Sequence, residues 1–202
     1  MRRGEKPGID LWLNGATAVL LIVGCALLVR DRILPAWRDL QVVEVGDEVP
    51  DDLTLVSLPS RDTTALEGLR PALLLYFQST CPACARNLPA WRRLMEERPP
   101  GLPAVAVGLE EALPALGYVR EELPGAVAAR PEDRSRMTRL MGVEAVPTTQ
   151  LVGEDGRLLW SRSGVLGASE VERILDRARR AAPDGPGPSA AAPTRTPDGR
   201  TP

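Results

Sequence analysis

The chain has 202 residues, 25 of them basic and 27 acidic, and no histidine. This length holds one domain with a proper core once terminal segments are set aside. The dispersed, nearly balanced charge gives no basic field for nucleic acid, and the lack of imidazole excludes Ser-His and Cys-His catalytic pairs and histidine metal ligands.

Residues 1–10 form a charged N-terminal flank. From Leu11 to Val29 no residue is charged, and Ala16 to Val29 is almost wholly apolar. Residues 11–29 therefore read as one transmembrane helix, for which roughly 20 residues are needed. Trp12 and Trp37 stand near its two ends, where aromatic rings favour the interface. A buried soluble helix is the alternative, but the run has no polar face. Nor does a small-x-small cleavage site follow it, as a removed signal peptide would require. Ile22-Val23-Gly24-Cys25 is similar to a bacterial lipoprotein processing box, yet the apolar run continues past Cys25 to Val29. Cys25 then reads as a small apolar residue of an unprocessed helix, and either version tethers the domain. Arg2, Arg3 and Lys6 on one side are matched by Arg30, Arg32 and Arg38 on the other, so the charge rule does not orient the helix.

Residues 30–45 form a polar connector, 46–181 the folded domain, and 182–202 a tail rich in Pro, Ala and Gly. The tail has too little apolar surface to offset its ordering entropy and is expected to be disordered. Within the domain, Leu53 to Leu58 alternates weakly as a strand, and Ala72 to Phe77 is a continuous apolar run suited to a strand buried on both faces. Residues 82–97 form a helix with Leu88, Trp91, Leu94 and Met95 on one side, closed by Pro99-Pro100. Pro103 to Leu109 is a second buried strand. A helix at Leu113 to Glu121, a short strand at Ala126 to Ala129 and a helix from Pro131 to Met141 follow. Thr148 to Val152 and Arg157 to Ser161 flank Glu154-Asp155-Gly156, a hairpin signal. A last amphipathic helix runs from about Ala168 to Arg180, with Ser169 as its N-cap. This order gives an α/β sandwich, a mixed central sheet flanked by helices.

Cys81-Pro82-Ala83-Cys84 follows the apolar strand and opens the first helix of the domain. Two cysteines three apart in a first helical turn can close a disulfide, and the positive end of the helix favours a thiolate on the first. Pro82 suits the first helical position, where its missing N–H is not needed. Ala85 follows Cys84, so this is not a Cys-x-x-Cys-His haem attachment. A structural zinc site lacks two further soft or imidazole ligands. A permanent structural disulfide is the more serious alternative, although so short a loop gains little from being stapled.

The segments Gly46-Asp47-Glu48-Val49-Pro50, Leu73-Leu74-Leu75-Tyr76-Phe77 before the cysteines, Leu88-Pro89, and Gly142-Val143-Glu144-Ala145-Val146-Pro147-Thr148-Thr149 stand in one order along residues 46–181. With them the chain resembles the thioredoxin superfamily, and within it the membrane-tethered TlpA/ResA-like thiol-disulfide oxidoreductases, with some likeness to MauD. The resemblance implies a thioredoxin-like sandwich in which Cys81 is the attacking thiol and Cys84 the resolving one. It implies a cis Val146-Pro147 bond facing them, and substrate contacts from Val146, Pro147, Thr80, Pro82 and Ala83. No cofactor and no metal are implied. The expected partners are protein thiols and disulfides and a membrane thiol donor or acceptor. The expected location is the cell membrane, single-pass, with the redox domain on the extracytoplasmic side.

Three positions depart from the family pattern. Thr80 stands where Trp usually precedes the first cysteine, Leu75 where thioredoxins keep a buried acid, and Asn87 where some tethered relatives place a Glu. Two other functions remain open at this stage. One is a binding or assembly module with a structural disulfide. The other is a peroxidase of the peroxiredoxin class, whose Pro and Thr/Ser positions are here Leu74 and Gln78.

Overall fold

The computed structural model describes residues 7–30, 42–58 and 60–181, with side chains from Thr17 onward. Most of the predicted connector, including Trp37, the Trp12 side chain, the first part of the N-terminal flank and the whole of the tail 182–202 lie outside the described residues. The chain divides into two compact units, one ending at Val42 and the other beginning at Val43.

The first unit contains helix α1 (Pro7–Leu28), so the uncharged run is helical through Cys25. Its described side chains include Leu20, Leu21, Ile22, Val23, Leu27 and Leu28, all exposed. Among the described residues no helix is long and apolar enough to cross a membrane.

The second unit is built in chain order from β1 (Thr54–Ser57), β2 (Thr63–Ala65), a 3-10 turn (Leu66–Leu69), β3 (Ala72–Phe77), α2 (Pro82–Glu97), β4 (Ala104–Gly108), α3 (Ala112–Glu122), β5 (Val127–Pro131), α4 (Arg134–Leu140), β6 (Thr148–Val152), β7 (Leu158–Ser163) and α5 (Ala168–Ala181). The strands form one sheet in the order β2-β1-β5-β4-β3-β6-β7. β3, β4 and β5 run parallel, while β1, β2, β6 and β7 pair antiparallel with their neighbours. The expected mixed α/β sheet is thus observed, and β3 lies inside it with every residue buried.

Alternation along the strands sorts the core into two layers. Leu73, Leu75, Phe77, Ala104 and Ala106 face α2, α3 and α5, packing with Trp91, Leu94, Val119 and Ile174. Leu74, Tyr76, Val105 and Val107 face the other side, with Met137 and Leu140 of α4. Trp91 crosses from α2 to β6, its Nε1–H donating to Thr149 Oγ1 at 2.8 Å in full burial. α3 lies so close to β4 that a Cβ on Gly108 would come within 2.6 Å of the Ala115 Cβ. That approach requires glycine.

The expected elements differ from the observed ones in four places. β2 and the turn after it had no periodic signal, because a three-residue strand is too short to show one. The helix expected from Pro131 begins at Arg134: Pro131 ends β5, paired with Leu55, and Asp133 caps the helix by accepting from Arg136 N–H at 2.9 Å. Ser169 is not an N-cap. α5 already starts at Ala168, and its first-turn Glu170 carboxylate accepts the Gly167 N–H at 2.8 Å. Finally, β7 starts at Leu158 and runs to Ser163, because Arg157 is used in a bridge to Glu48 and the hairpin carries an irregularity at Leu151/Val152.

Candidate active site

Cys81 is the N-cap of α2 and Pro82 occupies the first helical position. The cap is made by sulfur: Cys81 Sγ accepts from the Cys84 backbone N–H at 3.3 Å, where a Ser or Asp oxygen usually serves. The Cys81 thiol also reaches the Val146 carbonyl at 3.7 Å. Val146-Pro147 is a cis peptide bond, as is Arg70-Pro71. The expected neighbourhood of Cys81, Val146 and Pro147 is therefore present. Thr80 and Pro82 are exposed beside it, and Ala83 is half-buried.

The two thiols are free and unequally placed: Cys81 is partly accessible, whereas Cys84 is fully buried. Partial burial alone would push Cys81 up. Hydrogen bonds from the Cys84 thiol and from the backbone N–H groups of Cys84 and Ala83, helped by the positive charge of Arg86, outweigh it and leave Cys81 below its ordinary value. Cys84 moves the opposite way. It is pushed up to about 12, chiefly by burial; the Gln78 backbone hydrogen bond opposes the rise, and the neighbouring Cys81 and Glu110 add to it. The two sulfurs are thus shifted in opposite directions, Cys81 toward the thiolate and Cys84 toward the thiol.

The loop between β3 and α2 is fixed by a residue that motif reading did not find. Glu110 accepts from the Ser79 backbone N–H at 2.7 Å and from the Ser79 hydroxyl at 2.8 Å. The signal for it lies in the parallel pairing of β3 and β4. Phe77 is in register with Gly108, so the residues two beyond each, Ser79 and Glu110, emerge at the same edge of the sheet. Strand order is needed to see this. On the far side, Tyr118 stacks on Phe77 with ring centroids 4.8 Å apart, and burial pushes its hydroxyl up to about 12.

Asn87, three residues after Cys84, is fully buried and accepts the Leu166 N–H on Oδ1 at 2.8 Å. Gly164 N–H in the same loop donates to the Pro147 carbonyl at 2.7 Å. Asn87 thereby ties α2 to the segment that braces the cis proline. Leu75, where an acid was missing in the sequence, is buried among apolar neighbours. No cluster of three or more metal-ligating side chains occurs among the described residues.

No family model matches the chain, and a search of curated proteins returns no match. Solved structures do match. A putative thiol:disulfide interchange protein DsbE from Chlorobium tepidum is 23% identical over 69% of this chain and 97% of its own, with a TM-score of 0.53. A thio-disulfide isomerase from Thermus thermophilus is 24% identical over 67% and 97%, with a TM-score of 0.53. A putative electron transfer protein from Aquifex aeolicus is 15% identical over 68% and 95%, with a TM-score of 0.56. The domain has a thioredoxin-like fold. In this thioredoxin-like domain the dithiol sits at the head of α2, just beyond the interior strand β3, and the cis proline lies opposite it.

Proposed function

We propose that the protein is a membrane-tethered thiol-disulfide oxidoreductase acting on extracytoplasmic protein substrates through Cys81 and Cys84. The carrying observation is the asymmetry of the pair: an accessible Cys81 lowered at a helix head beside a buried Cys84 pushed up to about 12. The solved structures of similar fold, two of them described as a thiol:disulfide interchange protein and a thio-disulfide isomerase, agree with this chemistry.

In the reducing direction the Cys81 thiolate attacks one sulfur of a substrate disulfide. A Cys81–substrate disulfide forms, the substrate S–S bond breaks, and the second substrate sulfur leaves as a thiolate that takes up a proton. Cys84 then loses its proton and attacks Cys81. The Cys81–Cys84 disulfide forms and the first substrate sulfur leaves, so two electrons have passed to the substrate. A membrane thiol donor restores the dithiol, and the reverse sequence oxidises a substrate. An extended substrate segment pairs with the Val146 backbone, with Thr80, Pro82 and Ala83 as the other contacts.

The tether is supported by the uncharged run 11–29 and by the exposed apolar side chains described in α1. Orientation with the domain outside is tested by a reporter fused after Ala181, and a reporter active only in the cytoplasm overturns it.

Thiol trapping tests the redox reading. Cys84→Ser leaves the mixed disulfide unresolved and should accumulate covalent adducts with partner proteins, whereas Cys81→Ser should accumulate few. Trapping mainly through Cys84 reverses the assigned order. Absence of trapping in both variants favours a structural disulfide.

A further inference from the structure

Glu110 belongs to no part of the Cys-Pro-Ala-Cys segment, yet its contacts converge on it. Both carboxylate oxygens are spent on one residue, Ser79, at 2.7 Å to the backbone N–H and 2.8 Å to the hydroxyl. Charge-assisted bonds of this length are the strong ones, and two from one carboxylate fix orientation as well as distance. Ser79 lies between two residues that touch the dithiol. The Gln78 carbonyl accepts the Cys81 N–H at 3.1 Å, and the Gln78 backbone also hydrogen-bonds the Cys84 sulfur. On the other side Thr80 leads directly into Cys81. A clasp on Ser79 therefore sets the geometry of both sulfurs at once.

We propose that Glu110 is a positioning residue of the dithiol site: its carboxylate holds the Gln78–Thr80 loop that presents Cys81 for attack. This rests on the oxidoreductase reading for its meaning, since formation of a mixed disulfide is the step that the loop serves.

The charged and titratable groups around the pair come from three elements. Arg86 on α2 acts on Cys81. Glu110, in the loop after β4, acts on Cys84, and Tyr118 on α3 is neutral while its hydroxyl keeps its proton. Burial dominates the rise of Cys84 and the Glu110 charge adds the least of these contributions, so Glu110 acts through its clasp on Ser79.

Oxidised glutathione is the probe, with the full chain in the dithiol form. Attack by Cys81 is read as formation of the glutathione adduct, in a Cys84→Ser background. Glu110→Gln keeps one oxygen to accept the Ser79 N–H and an amide N–H that can donate to the Ser79 hydroxyl, and should leave attack within about threefold of wild type. Glu110→Ala removes the clasp and should slow attack about tenfold through misplacement of Cys81. Unimpaired attack in Glu110→Ala overturns the proposal, as does attack in Glu110→Gln slowed as much as in Glu110→Ala. These rates need only Cys81 and glutathione. If Cys84→Ser traps no partner protein, the oxidoreductase reading fails while the Glu110 measurement still stands.

Discussion

At the scale of single residues, the two cysteines make opposite contributions to stability as pH changes, because their shifts have opposite signs. Cys81 is lowered in the folded protein, so its contribution is fully present above the ordinary thiol value of 9.0 and is lost as pH falls through its folded value. Cys84 is raised to about 12, so above the ordinary value of 9.0 the unfolded chain has lost a proton that the native protein still holds. Stability of the reduced protein should therefore fall as pH rises from 9.0 through about 12. Urea unfolding of reduced wild type and of Cys84→Ala at successive pH values checks this. The variant should lack that part of the alkaline decline, and parallel curves would contradict it. The Cys81-Pro82-Ala83-Cys84 segment was legible in the sequence because a cap position three residues from its partner is a local pattern, whereas the cis Val146-Pro147 bond was expected only from the family resemblance. Glu110 and the Asn87 link to Leu166 were not legible, since each contact spans dozens of residues.

Among the elements, the placement of α3 decides where Tyr118 stands, and it depends on Gly108. A methyl group there would meet the Ala115 Cβ at 2.6 Å, well inside contact, and Ala115 is carried on a helix backbone rather than on a flexible side chain. Gly108→Ala should cost about 1–3 kcal/mol by overpacking. Adding Ala115→Gly should recover part of that loss. Equilibrium unfolding of the single and double variants provides the test, and a single variant indistinguishable from wild type would show that α3 moves away freely. The same comparison of elements explains the errors at helix starts. Proline suits a first helical turn, but pairing with Leu55 on β1 holds Pro131 in β5 and leaves Asp133 to cap α4. Ser169 has a capping side chain, but the helix had already begun one residue earlier. Local preference identifies candidates for a boundary, and tertiary pairing chooses among them.

For the molecule as a whole, the buried residues of both core layers lie in the unit that begins at Val43. A chain lacking residues 1–41 keeps the Val43 N–H bond to the Leu140 carbonyl at 2.7 Å and every buried core residue. It should unfold in one cooperative transition with the urea midpoint of the full chain. A broadened transition, or a midpoint displaced well outside error, would mean that the first unit contributes to the stability of the second.

What the sequence determined by itself was whatever short-range periodicity and stereochemistry can encode: the alternation of strands and helices, the fully apolar β3, the amphipathic α2 with a cysteine at its head, the hairpin after Pro147 and the uncharged run 11–29. These follow from repeats of two or 3.6 residues and from capping, which need no distant partner. The tertiary structure alone decided the strand order, the short β2, and the meeting of Ser79 with Glu110 at the edge where β3 and β4 end. Those outcomes depend on which strands pair and in what register. No local pattern records that choice, because an apolar strand buried on both faces offers the same hydrogen-bonding edge to any neighbour that the rest of the fold brings alongside.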